Sequence, residues 1–368
     1  MQAFQLAAAG HAASGASTMF VRPQNEGILL KPLDAAELEI YERLANEYAN
    51  DPVHGFVAGF HGTVQEPGET ASTFLCLENV VHGFKDPMVM DVKLGMRTHL
   101  QSEGQNDKPR ADLFKKMAKS FPSHLTPAEV EAGMVTKTRY MEVRDASSTT
   151  GSFGYRVDGT AGYSKNNANV SKQNACGTEA AARKAFHEFA CFGRSNSQVD
   201  RMKFSPAEVA ESVVEELQKL RSALEASAFV QHHECIGTSV LIVFDASSGK
   251  CRASWIDFAK TRACQKFGGL SHRVNPVAGS QEDGLLLGLD NLISAWQVIA
   301  QEGQILTKLR TIVGSHPKPC YFGSDAIQES WSEVFELMCD CMVPIALSPN
   351  AVLLAVLAEY TKGRYWLK

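Results

Sequence analysis

Asp91 and Lys93 stand two residues apart in KDPMVMDVKLGMRTH, the stretch from Lys85 to His99. On a strand that spacing puts both side chains on one face. A carboxylate beside an ammonium suits activation of a hydroxyl next to an anionic group. A surface ion pair on a strand would use the same two residues, and the pair alone does not choose. Gly95 follows where the backbone must turn or approach a neighbour closely.

Other residues supply the chemistry such a pair would need. Asp257 ends the apolar run of ASWIDFAKT, with Lys260 three positions on. An aspartate at a strand end is a ligand type for Mg2+ on nucleotide phosphates. Ser239 leads into the neighbouring strand, Val240 to Phe244. Lys31 closes the run ILLK, and Glu37 falls in the first turn of the helix that follows. A strand lysine held by a helix glutamate is how kinases place a lysine against phosphates; a surface salt bridge is the alternative. Lys137, Arg139 and Arg144 crowd into VTKTRYMEVRD around Tyr140 and Met141. Cations set among apolar anchors suggest an anion site built from arginine forks and lysine. Lys108, Arg110, Lys115, Lys116 and Lys119 oppose the single Asp112 in KPRADLFKKMAK. Lys115, Lys116 and Lys119 read as the solvated face of an amphipathic helix, with Leu113, Phe114 and Met117 inward.

These residues need elements to hold them. Near the N-terminus, Gly10, Ser14, Gly15 and Ser17 form a small-residue loop. It suits a cover over phosphates through backbone N–H groups, or a flexible tail, and it is neither GxGxxG nor a Walker A loop. Asp34 caps a helix over about 35–50 with Leu38, Tyr41, Leu44, Ala45 and Tyr48 on one face. Strands are expected over 56–64 and 74–80; the second runs into LENVVHGF, where a hinge would offer backbone groups to an adenine edge. Capping boxes at Thr126 and Ser205, each with proline at the first helical position, start two helices. A further helix spans about 178–192, and the Ser205 helix runs to Glu225. Residues 145–177 are rich in Ser, Gly and Asn and read as loop around one strand, Phe153 to Val157. Gln281 to Ile299 reads as a hydrophobic helix with Glu282 and Asp283 at its start. Past Pro317 one or two more helices carry Trp331, Val334, Phe335 and Met338 on one face, without visible chemistry.

The chain has 368 residues, enough for a large core and two lobes or domains. Its hydrophobic fraction of 44% and charged fraction of 21% are those of a soluble globular protein. A net charge of −5 argues against a bulk nucleic-acid binder. No run reaches the roughly 18 apolar residues of a membrane span, and no basic segment precedes the small apolar N-terminus, so no signal peptide is expected. Nine scattered cysteines without a CxxC pair fit reduced thiols, hence a cytoplasmic protein, with the nucleus as a second location.

Together these pieces resemble the inositol polyphosphate kinase family. Its PxxxDxKxG signature is present as Pro87, Asp91, Lys93 and Gly95, followed by an S-[ST]-L-L-like strand at Thr238-Ser239-Val240-Leu241 and an Asp-Phe-Gly-like element at Asp257-Phe258-Ala259-Lys260. GMRTHL, VTKTRYMEVRD with SSTTGSFGYRVDG, and EDGLLLGLDN look like the inositol 1,4,5-trisphosphate 3-kinase branch, and the likeness covers about residues 5–300. It implies an α+β, two-lobed, protein-kinase-like fold with a helical substrate-binding insert. Residues 1–85 would form the nucleotide-binding lobe and 86–300 the catalytic lobe, with the insert at about 101–170; 301–368 would be a helical extension. It also implies ATP and Mg2+, and phosphorylation of the 3-hydroxyl of inositol 1,4,5-trisphosphate to inositol 1,3,4,5-tetrakisphosphate. By matching positions, Ser14 and Lys31 would meet nucleotide phosphates, Glu37 would orient Lys31, and Glu78 and Val80 would form the hinge. Asp91 would be the general base, close to the nucleotide as well, and Lys93 would bridge substrate and transferring phosphoryl. Arg110, Lys137, Arg144 and Lys260 would bind inositol phosphates. Asp257, assisted by Ser239, would hold Mg2+.

The sequence departs from the pattern after GYRVDG, where Thr160 and Ala161 replace an expected lysine and Lys165 is the nearest substitute. A broader inositol polyphosphate multikinase, an inositol hexakisphosphate kinase and a non-catalytic inositol phosphate-binding scaffold are the alternatives. The long insert speaks against the first two; retention of Lys31, Asp91, Lys93 and Asp257 speaks against the third. The basic amphipathic helix makes calmodulin a candidate partner.

Overall fold

A computed structural model describes residues 2–3, 19–66, 72–100, 102, 108–162, 178–191, 203–264, 268–276 and 280–315. The chain forms two compact units, Met1–Gln297 and Val298–Lys368. The expected helices past Pro317, Ser14 and Lys165 lie outside the described residues.

Unit one is α+β. Strands β1 (Gln2–Ala3), β2 (Phe20–Arg22), β3 (Asn25–Pro32), β4 (Phe60–Glu66) and β5 (Ser72–Glu78) form an antiparallel sheet in the order β1-β2-β3-β5-β4. Helix α1 (Ala35–Asn46) interrupts it between β3 and β4. It begins where Asp34 accepts hydrogen bonds from the Ala36 and Glu37 amides, at 2.9 and 3.1 Å. Ile40, Tyr41 and Leu44 are its buried stripe.

The second sheet carries the chemistry. Its central strand β6 (Pro87–Leu94) is buried on both faces, which is why it reads as a nearly unbroken apolar run. β7 (Tyr155–Ala161) pairs with one edge of β6; β9 (Ser239–Asp245) pairs with the other and with β10 (Cys251–Ile256). β8 (His233–Cys235) and β11 (Thr261–Ala263) form a small ribbon beside it. At the end of β6, Gly95 has φ 95°, and a Cβ there would come within 3.0 Å of the Asp283 carbonyl oxygen. Only glycine meets both conditions.

Between β6 and β7 the insert folds as helices α2 (Ala111–Ser120), α3 (Pro127–Ala132), α4 (Lys137–Ala146) and α5 (Thr149–Phe153). Its own small core gathers Leu113, Met117, Phe121, Val135 and Val143. The expected solvated face holds, with Lys115, Lys116 and Lys119 exposed. Residues 145–162 are not loop, as composition suggested. Ser148, Thr149 and Thr150 are each 3% exposed or less, Gly154 closes α5 with φ 70°, and β7 begins two residues later than expected. Buried hydroxyls look polar in a sequence window while being interior in space.

Helices α6 (Glu179–Ala190), α7 (Pro206–Glu225), α8 (Ala228–Gln231) and the part of α9 (Leu285–Ser315) up to Gln297 complete the scaffold of unit one. Both capping boxes form as the sequence predicts. Glu282 and Asp283 precede α9 and are buried, accepting hydrogen bonds from the backbone N–H groups of Ser271, His272 and Cys235. No described helix is long and apolar enough to cross a membrane.

Candidate active site

Lys31 is the next-to-last residue of β3, and its ammonium donates to Glu37 Oε1 at 2.8 Å and Asp257 Oδ1 at 2.9 Å. Glu37 is buried on the first turn of α1, and its Oε1 also accepts the Phe258 amide at 3.1 Å. One carboxylate therefore orients Lys31 and fixes the backbone that carries Asp257. Asp257 itself has φ 70°, a left-handed conformation that aspartate tolerates better than most side chains. Phe258 anchors the turn, fully buried, with ring centroids 4.8 Å from Trp255 and 5.4 Å from Tyr41.

The second oxygen of Asp257 accepts from Lys93 Nζ at 2.7 Å. Burial disfavours the Asp257 charge, but Lys31 and Lys93 outweigh it and hold the carboxyl well below its ordinary range. Burial likewise opposes both ammonium ions, and the surrounding carboxylates, Asp257 foremost, overcome it and keep both lysines charged.

Asp91 lies two residues before Lys93 on β6, opposite Leu241 of β9 and Gly159 of β7. The β6–β7 register slips between Asp91 and Val92. Asp91 is 4% exposed, and its Oδ1 is buried without a hydrogen-bond partner. Burial raises its pKa to about 6; Lys93 opposes the rise, and the negative charges of Asp257 and Asp158 add to it. A carboxylate held near that value ionises at neutral pH yet accepts a proton readily, which suits a general base.

Ser239 sits at the register position opposite Lys93, and its buried hydroxyl interacts with the Asp91 carboxyl, partly offsetting the rise in its pKa. The Ser239 hydroxyl and the charged Asp257 carboxylate are hard oxygen ligands of the kind Mg2+ takes. Among the described residues no group of three or more His, Cys, Asp or Glu side chains could hold a metal by itself. A divalent ion at Asp257 would therefore draw its remaining ligands from nucleotide phosphates and water. The residues present fit that group.

Of the cations expected to meet inositol phosphates, two are brought together. Arg144 on α4 and Lys260 after β10 converge on Thr98, which follows β6. Lys260 Nζ donates to the Thr98 carbonyl at 3.0 Å, and an Arg144 Nη2–H bonds the Thr98 hydroxyl. Lys137 opens α4, half-buried, behind its Thr136 cap. Arg110 stands apart: exposed just before α2, it forms a two-pronged pair with Asp112 at 3.0 and 2.8 Å. At the end of β5 the Glu78 side chain is committed to Arg252 of β10, at 2.6 and 3.1 Å, and accepts the Gly59 amide at 3.2 Å. Val80 is buried in the turn that follows.

Sequence reasoning missed several of these relationships. Arg252 and the Glu37–Phe258 bond belong to partners more than 170 positions apart, and no local pattern reveals them. Asp145, buried against Thr98, carried one signal: it is an acid beside the last arginine of the cationic segment VTKTRYMEVRD.

Residues 74–297 match the family model described as inositol polyphosphate kinase. The chain is 34% identical to rat inositol-trisphosphate 3-kinase A over 304 residues, which is 80% of this chain and 59% of that protein. It is 33% identical to human inositol-trisphosphate 3-kinase C over 280 residues, 75% of this chain and 38% of that protein. The chain thus spans only 38–59% of the length of these relatives. Among solved structures it is similar to the inositol phosphate multikinase Ipk2 of S. cerevisiae, determined with ADP and Mn2+. The TM-score is 0.47 at 16% identity, covering 73% of this chain and 98% of that one.

Proposed function

The chain belongs to the inositol polyphosphate kinase family, and we propose that it is an ATP-dependent kinase acting on the 3-hydroxyl of inositol 1,4,5-trisphosphate. The product is inositol 1,3,4,5-tetrakisphosphate. The observation that carries this reading is the convergence of Lys31, Lys93 and Asp257, with Asp91 on the same strand as Lys93. The choice of substrate rests on identity to relatives named inositol-trisphosphate 3-kinases.

Phosphoryl transfer asks a protein mainly to position reactants and neutralise spread negative charge. Lys31, oriented by Glu37, contacts the nucleotide phosphates. Asp257 and Ser239 hold Mg2+, which when bound neutralises charge on the transferring phosphoryl. Lys93 exchanges Asp257 for the incoming phosphoryl oxygens. Asp91 orients the attacking hydroxyl and takes its proton late. Arg144, Lys137 and Lys260 receive the substrate's phosphates, and Arg110 joins them by leaving Asp112. Residues 1–85 act as the nucleotide lobe, with the Glu78–Val80 backbone as hinge. The exposed lysines of α2 support calmodulin as a partner, and a calcium-dependent pull-down tests that.

Incubation with Mg-ATP and a panel of four inositol phosphates tests the reading. Dominant turnover of inositol 1,4,5-trisphosphate supports it. Equal turnover across the panel points to a multikinase, and binding without turnover to a scaffold.

A further inference from the structure

Asp145 lies near the C-terminal end of α4 and is 4% exposed. Its carboxylate accepts from the Thr98 amide at 2.7 Å and from the Thr98 hydroxyl at 2.8 Å. His99 Nδ1 lies 3.1 Å away, Arg144 Nη2 3.3 Å and Arg156 Nη1 3.7 Å. Arg156 is itself nearly fully buried on β7, paired with Asp158 at 2.8 Å. One buried acid therefore ties together three elements: the segment after β6, the insert helix α4 and strand β7.

Thr98 is the relay. Its amide and hydroxyl are fixed by Asp145, its hydroxyl also bonds Arg144, and its carbonyl accepts from Lys260. The segment holding Thr98 continues directly from β6, the strand that carries Asp91 and Lys93. A shift of Thr98 would therefore move two substrate-facing cations relative to the reacting pair. Burial disfavours the Asp145 charge, but His99, Arg144 and the two Thr98 donors prevail and keep the carboxyl below its ordinary range. The group is thus a permanent anion at neutral pH.

We propose that Asp145 is a positioning residue for the inositol phosphate. Acting through Thr98 and Arg144, it sets Arg144 and Lys260 in register with Asp91, without touching the substrate. This rests on the functional reading above. A purely structural acid would change stability, or both substrates alike; a positioning acid changes affinity for the inositol phosphate alone.

The test compares wild type, Asp145→Asn, Arg144→Gln and the double variant in the full chain. Readouts are KM for ATP, KM for inositol 1,4,5-trisphosphate, calorimetric binding of the inositol phosphate and thermal melting. The amide places N–H groups against the Thr98 amide and guanidinium donors, losing charge-assisted bonds. The inositol phosphate KM is expected to rise about 10- to 100-fold, with the ATP KM unchanged within about twofold. In the Arg144→Gln background the same change should add less than about threefold, because coupled residues are not additive. Asp145→Glu should restore part of the affinity. Parallel loss for both substrates, an unchanged inositol phosphate KM, or additivity with Arg144→Gln overturns the proposal. Should Asp145→Asn fail to fold, Thr98→Val removes the relay hydroxyl and keeps the backbone bond. It must show the same selective rise, at about threefold or more, or the proposal fails. Wild-type binding and turnover decide the functional reading separately. If both are absent, that reading falls and takes the positioning role with it; if both are present and the variants bind like wild type, only the positioning role falls.

Discussion

Lys93 and Asp257 are 164 positions apart in the chain, and their side chains meet at 2.7 Å. Lys31 holds the other oxygen of the same carboxylate. Two ammonium ions from different sheets are thus parked on one acid, where an incoming phosphate chain would offer each of them new oxygens. β3 and β6 are interior strands of their sheets, so both lysines stand on backbone paired on two sides.

Asp91→Asn keeps the shape of the side chain and removes its basicity. Turnover should fall by about 10²–10⁴, while calorimetric ADP affinity stays within about twofold. Loss of nucleotide binding, or activity near wild type, contradicts the assigned role.

The raised pKa of Asp91 has two consequences with pH. The base is ionised above about pH 6, so kcat/KM should fall with unit slope as pH drops through that value, a limb that Asp91→Asn lacks. The folded pKa exceeds the unfolded one of about 4. The stability this group contributes is therefore full below about pH 4 and lost as pH rises through about 6. The melting temperature of Asp91→Asn minus that of wild type should increase between pH 4 and pH 7. A flat difference contradicts the burial account of the shift.

Ser239→Ala removes a buried hydroxyl that interacts with the Asp91 carboxyl and lowers its pKa. The Mg2+ concentration for half-maximal rate should rise about tenfold, and the acid limb of kcat/KM should move to higher pH as Asp91 loses a group that lowers its pKa. An unchanged Mg2+ requirement removes Ser239 from the metal site.

Glu37→Gln retains an oxygen for the Phe258 amide and loses the charge that faces Lys31. The KM for ATP should rise about tenfold or more, with the KM for inositol phosphate nearly constant. Equal effects on both substrates would mean that Glu37 supports the whole site rather than Lys31.

Much of this was legible in the sequence. The Asp91–Lys93 spacing on an apolar run, the Asp34 cap that places Glu37 near Lys31, and both capping boxes depend on contacts a few residues apart, which local chemistry dictates. The relations that close the site depend on long-range packing. Glu37 bonds Phe258 across 221 positions and Glu78 meets Arg252 across 174. Residues 145–162 misled because burial of Ser148, Thr149 and Thr150 is decided by neighbours, whereas composition records only their polarity. Asp145 escaped notice for the same reason: among cations it looks like a neutralising surface acid, and only its 4% exposure marks it as interior.

The most direct measurement is turnover of inositol 1,4,5-trisphosphate with Mg-ATP, with the product resolved by mass and its phosphate positions assigned by NMR. The predicted result is a single tetrakisphosphate carrying its new phosphate on the 3-hydroxyl. No phosphorylation, or a new phosphate at another position, would contradict the assignment of this chain as a 3-kinase.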